Sequence, residues 1–279
     1  MGLNIEKEMI KKSNPKRLSE MKKYGRIETY KKINSLLHKD LREGFILINH
    51  VLAIIDDLLD NQNTYSLDKI EAIFCRSFKG ENLAIENNSL KQIQKLGKVL
   101  RSLHNRRFYN ADKIYQEVIR YWKIDRKDRI RKFKILSAKE LDNLNKNIGG
   151  SIGKQFLLFL TPNLNQKLIF KIANSYGRAI KYADNLSDLN DDLSRGYINI
   201  SKEDLKRYEL IVERTNPNQI IIKGNLKNYK QCEFQKIERI FEKSQEITKK
   251  VILKNKQEKI MIKLFEDVAI SWLNQAREA

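Results

Sequence analysis

The sequence predicts an all-α protein. Its 279 residues include only 3 prolines and 11 glycines, and proline is the residue a helix interior tolerates least. The chain is rich in Leu, Ile, Lys and Glu, and apolar residues recur at helical spacing along most of it. A hydrophobic share of 41% supplies a core and argues against wholesale disorder.

Taken in order, residues 1–33 are basic and polar and predict an arm or a first short helix. Residues 34–61, NSLLHKDLREGFILINHVLAIIDDLLDN, read as one long helix that grows apolar toward its end. NQNTYSLD breaks it, with Ser66 placed to cap the next helix. Helices are expected over 67–78 and 89–104, and a basic amphipathic helix or helix pair over 110–133. Residues 137–160 are helical in pattern despite their glycines, and Ser137 with Glu140 forms a capping box. TPNLN ends that segment, and a long helix over 164–194 follows, stopped near Gly196. Ser201 and Asp204 form a second box ahead of a helix through SKEDLKRYELI. NQIIIKGN, 218–225, resembles a short strand, and 227–276 return to helix. No repeat or linker interrupts the chain, which predicts a single domain over 34–279.

The net charge is +20, from 55 basic and 35 acidic residues, which points to an anionic partner. Cys75 and Cys232 lack metal-site spacing, so a reducing cytoplasm fits better than a disulfide scaffold. The first residues lack the apolar core of a secretory signal, and no apolar run reaches the roughly 18 residues that span a bilayer. No P-loop, dinucleotide fingerprint or nucleophile–histidine pattern appears, and His38, His50 and His104 are scattered.

Two acidic stretches stand out against this charge. A helix turns about 100° per residue, so Asn49, Ala53, Asp56 and Asp60 share one stripe, with Asp57 beside it. In YADNLSDLNDDLSRGYINIS, residues 182–201, Asp184, Asp188 and Asp192 step one turn at a time, with Asp191 near the same arc and Lys181 one turn before. Carboxylates on apolar helices are costly unless paired or bound to a cation. Each stretch is therefore a solvated face or a site for a hard cation such as Mg²⁺, which favours oxygen ligands.

The chain resembles the squalene/phytoene synthase family of class I isoprenoid synthases. The second family signature is matched by YGRAIKYADNLSDLNDDLSRGYINISKEDLKRYE from Tyr176, which puts its paired aspartates on Asp188 and Asp192 with Asp191 between. The family glycine block falls on Gly149, Gly150, Ser151, Ile152 and Gly153, and the first acidic motif on Asp56, Asp57 and Asp60. The resemblance spans roughly residues 40–210. It implies a helical bundle around an apolar cavity, in which Mg²⁺ bridges the two acidic motifs to a prenyl diphosphate. Asp56, Asp60, Asp188 and Asp192 are then the catalytic metal ligands, assisted by Asp57, Asp184 and Asp191. Lys181, Arg195, Asn49 and Gly150 become candidate substrate contacts. The glycines either let helices approach beside the prenyl tail or mark a helix kink. The sequence departs from the family at Asn49, Ala53, Lys146, Lys181, Asp184 and Ser187. These departures hold open an alternative, a non-catalytic descendant that binds a lipid or isoprenoid.

Residues 101–134 hold 12 basic and 4 acidic residues, interleaved with Tyr109, Tyr115, Tyr121 and Trp122. The segment is a solvated helix face, a peripheral contact with the anionic inner face of a membrane, or an RNA-binding surface.

Overall fold

The computed structural model describes residues 15–60, 66–108, 110–216, 219–250 and 255–279, with the side chains of Lys16 and of residues 56–60 outside that description. Helix dominates. In chain order the elements are α1 (Pro15–Lys23), α2 (Arg26–Leu36), α3 (Lys39–Asp60), α4 (Leu67–Lys79), α5 (Asn88–Asn105), α6 (Ala111–Arg129), α7 (Ala138–Leu160), α8 (Gln166–Ser187), α9 (Leu189–Ser194) and α10 (Lys202–Arg207). Strands β1 (Ile211–Asn216) and β2 (Gln219–Lys223) then pair antiparallel, followed by α11 (Leu226–Lys249) and α12 (Lys256–Arg277).

The chain divides into two compact units. Of the described residues, the first takes those up to Trp122, with 155–164 and 255–265, and the second those within 123–154, 165–250 and 266–279. Three of the five boundaries fall inside α6, α7 and α12, where no linker composition marks them; the other two lie between α7 and α8 and between α11 and α12.

In the first unit the expected single helix over 34–61 starts only at Lys39, because Leu37 is extended (φ −68°, ψ 144°). Arg42 bridges this break by donating to the carbonyls of Leu37 (2.9 Å) and Ser35 (3.1 Å). The stretch expected as a basic arm or a first short helix is helical in α1 and α2 and contributes to the core, with Met21, Ile27, Tyr30 and Ile33 buried. Tyr30, Phe45 and Phe156 meet largely edge-on, and Phe45 also meets Phe159. Such pairs each add about 0.5–1.5 kcal/mol beyond burial. Ser66 caps α4 as expected, accepting the Lys69 N–H at 3.2 Å.

The second unit holds the carboxyl end of α6, most of α7, helices α8 to α11, the hairpin and the end of α12. Glu140 accepts the Ser137 N–H (2.8 Å) while Ser137 Oγ accepts the Glu140 N–H (3.3 Å), closing the expected box. Helices α7 and α8 touch backbone to backbone, since a Cβ on Gly149 would lie 1.9 Å from the Gly177 carbonyl oxygen. Leu189, Leu193, Ile198, Ile200, Leu205, Leu210, Ile220 and Tyr229 form one apolar cluster beneath the hairpin. Strand β1 occupies residues expected at the end of a helix or beyond it. Its partner is the run Ile220–Ile222, whose β-branched residues favour extended backbone.

Candidate functional site

The carboxylates expected on one continuous helix sit instead on either side of a break. Helix α8 ends at Ser187, Asp188 takes φ −97° and ψ 13°, and α9 begins at Leu189. Two backbone bonds flank the break. Asp188 N–H donates to Asp184 O (2.9 Å) and Asp192 N–H to Asp188 O (2.8 Å). The acidic residues therefore keep their one-turn spacing while the chain bends between them.

Past α9, Gly196 enters the left-handed region (φ 86°) and turns the chain back. A side chain there would also strike the Phe133 ring, 2.9 Å from a Cβ. The Tyr197 N–H donates to Asp192 O (2.8 Å), and two residues later Asn199 donates its Nδ2 to the Asp192 carboxylate at 2.6 Å. Asn199 in turn accepts from Arg131, which also donates to Ile198 O (3.2 Å) and pairs with Asp128. On the other side, Lys181 donates to Asp184 at 2.7 Å. A polar network thus runs from Asp128 through Arg131 and Asn199 to Asp192, with Lys181 and Asp184 beside it.

Its electrostatics are uneven. Burial pulls the Lys181 pKa down, but Asp184 and Asp192, with Asp128 adding to them, outweigh burial and raise it. Lys181 is therefore a fixed cation. Burial pushes the Asp192 carboxyl up to about 6, and Asp184 adds to that, while Lys181, Asn199 and Arg131 oppose it without cancelling it. Asp125 is also raised, chiefly by burial, against the Arg129 guanidinium bonded to it at 2.8 Å. Asp192 is thus a carboxylate short of positive charge.

Below the ordinary value of 3.8 the Asp192 carboxyl is protonated whether folded or unfolded, and its contribution is fully present. As pH rises through about 6 the folded protein must carry a charge its surroundings disfavour, and that contribution is lost. Asp192→Asn should therefore stabilise the protein in EDTA at pH 7.5, by on the order of 1–2 kcal/mol after discounting for partial exposure. The gain should vanish near pH 4. Thermal unfolding of both proteins across this range checks it, and an Asn variant less stable at every pH would contradict it.

Asp191 and Arg195 are exposed. Asn49, in the first unit, donates its Nδ2 to Phe45 O at 2.7 Å, within its own helix. Gly150 lies in the helix seam, where a Cβ would meet Asn174 Oδ1 at 2.4 Å, so its missing side chain serves packing between α7 and α8. The α3 backbone runs helically through Asp60, but the side chains of Asp56, Asp57 and Asp60 lie outside the described residues. Tyr109 also lies outside them. Among the described residues, no three His, Cys, Asp or Glu side chains form a group able to hold a metal ion.

Sequence reasoning missed Asp128, Arg131 and Asn199. Asp128 and Arg131 stand three apart at the end of α6, a spacing that favours an ion pair, but nothing local ties them to Asp192. No family model matches the chain, and no curated protein matches it.

Proposed function

We propose that the chain is a Mg²⁺-dependent enzyme acting on prenyl diphosphates, either a prenyltransferase or a terpene-forming synthase. The supporting observation is the under-compensated Asp192 carboxylate one turn from Asp188. A carboxylate that burial holds partly protonated near pH 6 gains most from a divalent cation. Asp188 and Asp192 fit that role as oxygen donors, with Asn199 orienting the second. Asp56, Asp57 and Asp60 are assigned as partner ligands from the sequence resemblance.

Mg²⁺ on these carboxylates would neutralise the diphosphate as the allylic C–O bond breaks. Lys181, kept protonated by Asp184, Asp192 and Asp128, offers further N–H donors to the same oxygens. Arg131 holds Asn199, and so the Asp192 carboxylate, in place from the α6 side. Asp184 is engaged by Lys181 and acts through it.

A second reading, binding without turnover, is favoured by that same engagement, because an ammonium already occupies one carboxylate of the ladder. The two readings separate on incubation with Mg²⁺ and farnesyl or geranylgeranyl diphosphate. Release of diphosphate supports the enzyme. Binding without release supports the non-catalytic reading, and neither binding nor release removes both.

A further inference from the structure

We propose that the end of α6 and the turn after it dock the protein onto an anionic lipid bilayer, with Ile130 inserted among the acyl chains and lysines on the headgroups. Ile130 is 82% exposed, the highest value among the exposed large apolar residues that the structure describes. It stands just past the last residue of α6, and Lys123 and Lys127 precede it at helical spacing that puts them on the same side. Lys123, Lys127, Lys132 and Lys134 are all exposed. The two acidic side chains of this stretch do not offset them, since Asp125 is bonded to Arg129 and Asp128 to Arg131. The outward field is therefore cationic around an apolar tip, the combination that binds an anionic interface.

The tip is also held rigidly. Arg131 is buried, bonded to Asp128, Asn199 and Ile198 O. Phe133 adopts φ 64°, donates its N–H to Gly196 O (2.8 Å) and carries the Arg214 guanidinium 4.2 Å above its ring. Little conformational freedom remains in this turn to be lost on docking.

The same rings weigh against RNA. Single-stranded RNA is gripped by stacking on open aromatic faces. Tyr121 and Trp122 are buried, Phe133 is covered by Arg214, and Arg131 and Lys132 both lie against Tyr197 at 5.6 Å. Lysines, moreover, are point charges suited to diffuse headgroup fields.

The test is co-sedimentation of the full chain with vesicles of phosphatidylcholine alone or with about 30% phosphatidylglycerol. Binding is expected only to the anionic vesicles. Ile130→Asp should weaken it about tenfold, and Lys127→Gln with Lys132→Gln about fivefold for each charge removed. These side chains are exposed, so melting temperature and helical content should hold. Ile130→Trp should retain binding, with its added emission shifted to the blue by anionic vesicles. Absent vesicle binding, equal binding to neutral vesicles, Ile130→Asp binding like the native chain, or tight RNA binding without vesicle binding would each overturn the proposal. The outcome is independent of diphosphate release, so the two proposals fail separately.

Discussion

Asp188→Asn is expected to reduce Mg²⁺-dependent diphosphate release by at least about 100-fold, the scale of losing a charged group that stabilises a transition state through its cation. The fold should survive. Asp188 sits where α8 gives way to α9, yet its side chain makes no capping bond there, and its backbone links to Asp184 and Asp192 are indifferent to the substitution. Asn is nearly isosteric; it removes the negative charge and replaces one acceptor oxygen with an amide donor. Loss of turnover with unchanged far-UV dichroism would therefore report on chemistry. Asp56→Asn should behave alike. Full activity in both variants would reject the assignment of these carboxylates.

Gly149→Ala carries the largest expected effect on stability. In an isolated helix this change gains about 1 kcal/mol. Here the new Cβ would fall 1.9 Å from the Gly177 carbonyl oxygen and 2.4 Å from its carbon. Both are backbone atoms of a packed helix and cannot swing aside, so α7 and α8 must separate. The reciprocal contact is as close, since a Cβ on Gly177 would lie 2.1 Å from Gly149 O. Overpacking on this scale outweighs the propensity gain and leaves a net loss of about 2–4 kcal/mol, or roughly 5–15 °C in melting temperature. A melting temperature equal to or above the native one would show that the seam opens freely.

What the sequence revealed divides by range of interaction. Ser66 as a cap and the Ser137–Glu140 box depend on residues within one turn, and both are found as expected. The break at Asp188 was hidden because the one-turn aspartate spacing is the same with or without a bend, Asp188 N–H still reaching Asp184 O and Asp192 N–H reaching Asp188 O. The close pair Gly149–Gly177 joins residues far apart in the chain, and the glycines alone left their purpose open between substrate side and packing. Asn199 reaches Asp192 only because Gly196 turns the chain, and Arg131 reaches Asn199 across 68 residues. A helical periodicity cannot signal either. Strand β1 was missed for a related reason: Ile211 and Val212 also fit the apolar end of the expected helix, and the extended state of Ile211–Asn216 is fixed by pairing with β2.

The measurement that bears most directly on the central claim, that both acidic stretches serve one Mg²⁺–diphosphate ligand, is a double-mutant cycle. The affinity of a non-cleavable thiolo analogue of farnesyl diphosphate is measured with Mg²⁺ and with EDTA for the native chain, Asp56→Asn, Asp188→Asn and the double variant. The account predicts Mg²⁺-dependent binding, weakened by each substitution, with a coupling of more than about 1 kcal/mol, so that the double variant loses less than the sum of the singles. Binding that ignores Mg²⁺, or losses at the two positions that simply add, would contradict it.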